Sequence, residues 1–353
     1  MPATLAADRQ VETCSFLQKN IRYNQRREAV EYTLPAPTSG LFDVSPIREN
    51  MPFGAVVTGL SAASLADKSV HQDLRALWHA AGVVVFKGLT GKETHLTLSR
   101  IFGELMAHPI KEVETEERML INIPYEPDKG LIVDVGGERR GLAQAWHSDL
   151  IYAPKVNRGG ILRPLQLPTR WGETGFIDQI WAYDTLPQSL KERIENLHVV
   201  YQYNVDPAQQ KFGVVDKMRF VRMTPLHAGI QARLDEFPEV IHPLVFTQQE
   251  SGRKVLNLSP WFSTGIYEMP GAEGDALLEQ VARHIVDGGH EYIHHWEMDE
   301  MVLFDNWRML HSGLGSPIDE TRIMQRTNIA GDYGLGRLKP EDQRRTESTY
   351  AIL

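Results

Sequence analysis

The chain has 353 residues, 42% of them apolar and 24% charged, enough for a large core and ordinary for a globular protein. Its formal net charge of −9 disfavours a general nucleic-acid or anionic-membrane surface. The single cysteine, Cys14, excludes an intrachain disulfide and a thiolate-rich metal site, and no stretch approaches the roughly 20 apolar residues of a membrane span. With no apolar leader at the N-terminus, a cytoplasmic protein is the expectation.

Residues 1–50 are polar and interrupted by Pro35, Pro37 and Pro46, so they read as an N-terminal extension packed on the body or partly disordered. The main domain is expected over 51–340, followed by a C-terminal tail at 341–353. Residues 54–58 look like a strand, and 69–81 have helical spacing with Leu74, Leu77 and Trp78 on one face. The apolar run 82–86 reads as a buried strand, and 93–102 as a second amphipathic helix. Short strand-like runs then dominate: 119–123, 144–152, 160–165, 175–179, 240–246, 255–258, 292–295, 301–305 and 323–330. Helices are expected at about 180–196 and 272–287. Many short strands with a few helices imply a mainly β fold with flanking helices, a double-sheet jelly roll. The charged, loop-rich stretch 206–238 reads as an insertion or lid beside an active site.

Trp146-His147-Ser148-Asp149, answered much later by His311, offers two imidazoles and one carboxylate. That set holds non-haem Fe(II) on one face and leaves the remaining positions open. In an extended segment His147 and Asp149 point to the same side of the sheet. Alone the triplet is a weak signal in a chain with 13 histidines. Three later pieces extend it: Gly172-Glu173-Thr174, the run Phe304-Asp305-Asn306-Trp307-Arg308-Met309-Leu310-His311, and Thr321-Arg322-Ile323-Met324-Gln325-Arg326. On one strand Arg322 and Arg326 would share a face.

In these motifs, together with Ile161-Leu162-Arg163-Pro164-Leu165 and the segment from His242 to Lys254, the chain resembles the taurine/2,4-D dioxygenase (TauD/TfdA) family from about Phe53 to Asp332. The resemblance implies a distorted double-stranded β-helix and a dioxygenase requiring Fe(II), O2 and 2-oxoglutarate. It makes His147, Asp149 and His311 the metal ligands and gives Arg322 and Thr174 the distal carboxylate of 2-oxoglutarate. A guanidinium suits that task, because it grips a carboxylate through two parallel hydrogen bonds and stays charged when buried. Arg326 falls to the acidic group of the prime substrate, a small anionic metabolite. By the same analogy His108 contacts substrate and Phe262 forms an apolar wall. Lys111 departs from the sulfonate-oxidising members, which carry an aromatic residue there. It either adds a second cation for a more acidic substrate or solvates the pocket rim.

The implied reaction is hydroxylation of a C–H bond with release of succinate and CO2. Asp149 disfavours halogenation, since related halogenases carry a small residue in its place. Desaturation, epoxidation or cyclisation on the same scaffold is the alternative. From other classes come a non-catalytic jelly-roll binding protein and a cupin-type isomerase or hydrolase, neither of which uses Thr174 and Arg322. No nucleic-acid or membrane partner is expected. A homo-oligomer is compatible with the sequence. His290, His294 and His295 read as a solvated strand and turn rather than a second metal site, and Trp146 and Trp307 as core.

Overall fold

Alternation along β3 (Val83–Lys87) sets the layering: Val84 and Phe86 pack in one apolar cluster, Val83 and Val85 in another. The computed structural model describes residues 32–107, 118–289, 291–331 and 333–340. Before β3 come β1 (Asp43–Pro46) and β2 (Ala55–Thr58); after it come β4 (Leu105–Met106), β5 (Ile121–Tyr125), β6 (Ile132–Val135) and β7 (Glu138–Gly141). The series continues with β8 (Gly159–Gln166), β9 (Thr174–Asp178), β10 (His198–Tyr201), β11 (Met218–Arg222), β12 (Val240–Pro243) and β13 (Val245–Thr247). It closes with β14 (Lys254–Leu256), β15 (Ser263–Ile266), β16 (Glu291–His294), β17 (Glu300–Asp305), β18 (Met309–Gly313), β19 (Arg322–Ile329) and β20 (Arg337–Leu338). The helices are α1 (Lys68–Ala81), α2 (Lys92–Phe102), α3 (Gln179–Asp184), α4 (Gln188–Ile194), α5 (Pro225–Gln231) and α6 (Ala272–Val286).

The main sheet runs β1-β2-β3-β17-β8-β19-β4, with β5 also paired to β19. Its outer face (Val84, Phe86, Met301, Leu303) packs on α1 and α2 through Leu74, Leu77, Trp78 and Leu98. Its inner face (Val83, Val85, Val302, Phe304, Met324) meets Phe176 and Met309 from the smaller sheet β16-β9-β18. The other face of that sheet, through Ile177 and Leu310, joins the largest cluster, to which α3 and α6 contribute Ile180, Leu277, Leu278 and Val281. The result is a helix–sheet–sheet–helix sandwich, mainly β, in the jelly-roll architecture.

Several boundaries differ from the sequence reading for identifiable reasons. Residues 144–152 form no strand: Leu150 is left-handed (φ 55°), and the segment meets β18 only at the His147–His311 bridge and at Gln144, whose N–H donates to the Gly313 carbonyl (2.9 Å) and whose carbonyl accepts from Ser312 Oγ (2.7 Å). The expected strand 240–246 is two strands in different sheets. They part at Leu244, whose N–H donates to the Leu197 carbonyl. The expected helix at 180–196 is broken into α3 and α4 where Pro187 cannot continue a helix. The N-terminal extension is not wholly peripheral, because β1 pairs with β2 along the edge of the main sheet.

Candidate metal and co-substrate site

His311 lies at the centre of β18 and exchanges two backbone hydrogen bonds with His147 (3.0 and 2.8 Å). This bridge, rather than strand alternation, brings the triplet to the sheet. His147 Nδ1 contacts the Ala145 carbonyl at 2.7 Å, which makes Nδ1 the protonated nitrogen and leaves Nε2 a free lone pair. Asp149 is held by its backbone: its N–H donates to Asn306 Oδ1 (2.8 Å), and Asn306 Nδ2 donates back to its carbonyl (2.9 Å). Trp146 packs over Gly175, where any side chain would collide with the indole.

Asp149 Oδ1 stands 3.9 Å from His147 Nε2, and Asp149 Oδ2 stands 3.7 Å from His311 Nε2. Both gaps are under twice a metal–ligand bond of about 2.1 Å, so one ion can take all three donors. Among the described residues this is the one cluster of histidines and acids with such spacing. Burial holds both imidazoles below their usual pKa, His311 at about 3, so they stay neutral and able to ligate. Burial alone would raise the Asp149 carboxyl, but the Arg326 guanidinium beside it leads the opposing pull and holds it well below the usual carboxylate range. Arg326 donates to Asp149 Oδ2 at 2.6 Å.

These groups open on a cavity of about 380 Å³. From β19, Arg322, Met324 and Arg326 line it, while Ile323, Gln325 and Thr327 do not, as strand alternation requires. Arg322 is buried and its Nε donates to the Gly172 carbonyl at 3.0 Å, which points the guanidinium. Gly172 takes a left-handed turn (φ 85°) that a Cβ would strain. Burial lowers the pKa of Arg322 to about 10, against the opposing pull of Glu173, and it stays charged at neutral pH. Thr174 lines the same cavity from the start of β9.

Phe262 belongs to the wall, edge-on to His147 with ring centroids 5.8 Å apart. Trp261, Tyr152 and Tyr203 extend that wall, with Tyr152 and Tyr203 4.3 Å apart. Burial raises both phenols, Tyr203 to about 12, so they stay protonated. The 206–238 segment supplies Phe220, Leu226, His227 and Ile230 to the cavity. His108 and Lys111 lie outside the described residues. The solvated-strand reading holds for His295, which is exposed and pairs with Glu173, and fails for His294, which is buried against Glu300 at 2.7 Å, while His290 lies outside the described residues. Trp146 and Trp307 are core residues, as expected.

Sequence reasoning missed Asn306 and the aromatic wall at Tyr152, Tyr203 and Trp261. Asn306 works entirely across long chain separations, and only its adjacency to the Phe304-Asp305 strand end hinted at a fixed turn.

The Taurine catabolism dioxygenase TauD, TfdA family matches residues 43–328. An (S)-phenoxypropionate/alpha-ketoglutarate-dioxygenase from Sphingobium herbicidovorans is 31% identical over 305 residues, 83% of this chain and 96% of that protein. An alpha-ketoglutarate-dependent 2,4-dichlorophenoxyacetate dioxygenase from Burkholderia sp. (strain RASC) is 26% identical, covering 82% of this chain and 92% of its own length. Among solved structures, AAD-2 in complex with Mn(II) and N-oxalylglycine superposes with a TM-score of 0.63 at 21% identity, covering 83% of this chain and 99% of that one. With a family match spanning the sheets, the metal-ligand cluster and both arginines of β19, the chain belongs to the TauD/TfdA family of 2-oxoglutarate-dependent non-haem iron dioxygenases.

Proposed function

We propose that this enzyme uses Fe(II), O2 and 2-oxoglutarate to hydroxylate a C–H bond of a small monoanionic substrate with an apolar body. One observation carries the reading: the three ligand side chains, Thr174 and both arginines of β19 line a single cavity. The donor set fits Fe(II), and Nε2 of both histidines is free to ligate. When bound, the metal and 2-oxoglutarate supply the oxidising chemistry, in which O2 and 2-oxoglutarate are consumed and succinate, CO2 and hydroxylated substrate are formed.

The chain's own residues do the rest. Arg322 and Thr174 take the distal carboxylate of 2-oxoglutarate, and Arg326 takes the acid of the substrate while steadying Asp149. Phe262, Trp261, Tyr152 and Tyr203 seat the apolar body and exclude water. Charge bookkeeping favours a monoanion. Two arginines and a divalent ion face one aspartate and a dianionic co-substrate, leaving one positive charge among the described residues for the substrate to neutralise.

The test is direct. Anaerobic addition of Fe(II) and 2-oxoglutarate is expected to give a weak visible charge-transfer band. Aryloxyalkanoates, alkyl sulfates and sulfonates are then scored for substrate-stimulated succinate and for hydroxylated product by mass. Metal binding without the band overturns the reading; preference for dianions or neutral compounds overturns the substrate class.

A further inference from the structure

Thr174 opens β9, and β16 pairs with β9 so that His294 stands opposite Thr174. Two residues past that pairing, Trp296 turns its indole back, and its Nε1–H donates to Thr174 Oγ1 at 3.0 Å. An indole nitrogen can only donate, so Thr174 must accept here. A hydroxyl carries one proton, and among the described residues Thr174 Oγ1 makes no second hydrogen bond. Its proton is therefore directed away from Trp296, and the hydroxyl opens on the cavity that Arg322 also lines.

From this geometry we infer that Trp296 is a positioning residue for the co-substrate: by occupying an acceptor site of Thr174 it commits the hydroxyl to donate to the distal carboxylate of 2-oxoglutarate, beside Arg322. The inference rests on the reading that Thr174 and Arg322 hold that carboxylate.

The indole is itself fixed. It meets the His294 ring edge-on, with centroids 4.5 Å apart and an interplanar angle of 88°. The imidazole is locked between Tyr292 Oη (3.0 Å from Nδ1) and Glu300 Oε1 (2.7 Å from Nε2). Glu300 also accepts from Lys87 and from the Glu297 N–H. A fully partnered buried network of this kind holds its members in one arrangement. His294, read from the sequence as part of a solvated strand, is thus part of the support behind Trp296. The arrangement also selects the ligand: a distal group that only accepts, as a carboxylate does, satisfies both Thr174 and Arg322.

The test is a binding cycle on Mn(II)-loaded protein, with 2-oxoglutarate affinity measured by calorimetry without O2. Thr174→Val is expected to weaken binding by about tenfold or more, the loss of a hydrogen bond to a charged group. Trp296→Phe, which keeps the ring and removes the donor, is expected to weaken it by about three- to tenfold. The double variant should bind no more weakly than Thr174→Val alone, because Trp296 acts through the hydroxyl. Trp296→Gln and Trp296→Leu form a second pair of similar size, and Gln should bind 2-oxoglutarate the more tightly. Unchanged affinity in Trp296→Phe, or losses that add in full in the double variant, overturns the inference. Failure of the wild-type protein to bind 2-oxoglutarate overturns the functional reading, and this inference with it.

Discussion

The two ends of the cavity are built differently. The end that holds the proposed metal ligands and 2-oxoglutarate anchors is formed by β9, β18 and β19 and by a loop tied to β18 backbone-to-backbone. Four of its polar residues have partners outside the cavity: Ala145 for His147, Asn306 for Asp149, Gly172 for Arg322 and Trp296 for Thr174. The opposite end is formed by the 206–238 segment, where α5 has seven residues and β11 pairs only with β6. There the polar side chains that face the cavity hold one another, His227 Nδ1 with Thr224 Oγ1 at 2.7 Å, three residues apart, while the segment as a whole is tied to distant elements through Arg222 to the Gly130 carbonyl and the Gly213 N–H to Glu279. On the proposed function, the reaction falls to strands with fixed second partners, and substrate choice falls to a segment whose cavity-facing polar groups, His227 and Thr224, are held by each other.

The contrast is sharpest for the metal ligands. His147→Ala is expected to abolish substrate-stimulated succinate formation, a loss of more than about a hundredfold, since even outer partners of ligands are worth 10–100-fold. Next come the two arginines. Arg322→Ala should raise the 2-oxoglutarate KM by about a hundredfold, the loss of a paired, charge-assisted contact. Arg326→Ala should leave that KM within about threefold while uncoupling succinate formation from substrate. A 2-oxoglutarate KM that rises equally in both variants would mean the two roles are shared, and the division between the ends would fail. Asn306→Ala, which removes the grip on the Asp149 backbone together with the contacts to Asn157, should lower Fe(II) affinity by about tenfold with little change in the 2-oxoglutarate KM measured at saturating metal.

The strand-borne end was also the legible one. Arg322 and Arg326 share a face because β19 is regular, and strand alternation needs nothing but spacing. The runs at 82–86 and 301–305 were readable because both their faces are buried, leaving no polar alternation to obscure them. Features fixed by distant contacts were not legible. The loop carrying His147 and Asp149 looks like a strand but turns at Leu150, and its register depends on Asn306 more than 150 residues away. β6 and β7 meet at Gly136-Gly137, a hairpin signal weakened by its short flanking runs, of which Glu138–Gly141 is charged rather than alternating. Trp296 carries no motif at all; its role exists only through the β9–β16 register.

A pH measurement probes the strand-borne end from behind. His95 is buried in α2, its Nε2 against the Ile161 carbonyl at 3.0 Å and near Thr327 of β19. Burial lowers its pKa to about 4. Because the folded value lies below the unfolded value of about 6.5, the unfolded chain takes up a proton first as pH falls. Stability is therefore full above about pH 7, declines through the interval down to about pH 4, and levels off below it. At pH 5.5 this one histidine accounts for about 1 kcal/mol of the loss. His95→Gln should show a correspondingly shallower decline in Tm between pH 8 and 5.5 than the unaltered protein. Parallel declines would show that His95 is not held neutral.

The smallest effect is expected at the other end, and its size is what separates the two. His227 lines the cavity from α5, and burial lowers its pKa, which favours a neutral imidazole on the cavity wall. Thr224 Oγ1, which accepts the His227 N–H at 3.3 Å, caps the helix that presents it. His227→Ala removes one neutral hydrogen-bonding group, worth about 1 kcal/mol, and should raise the substrate KM by about fivefold while kcat and the 2-oxoglutarate KM stay level. The ranking of substrates should shift as well, because a neutral imidazole discriminates by shape and hydrogen bonding rather than by charge. If His227→Ala instead disturbed metal or 2-oxoglutarate binding as strongly as Asn306→Ala, the 206–238 segment would be part of the same fixed frame. The separation of reaction from recognition would then lie elsewhere in the fold.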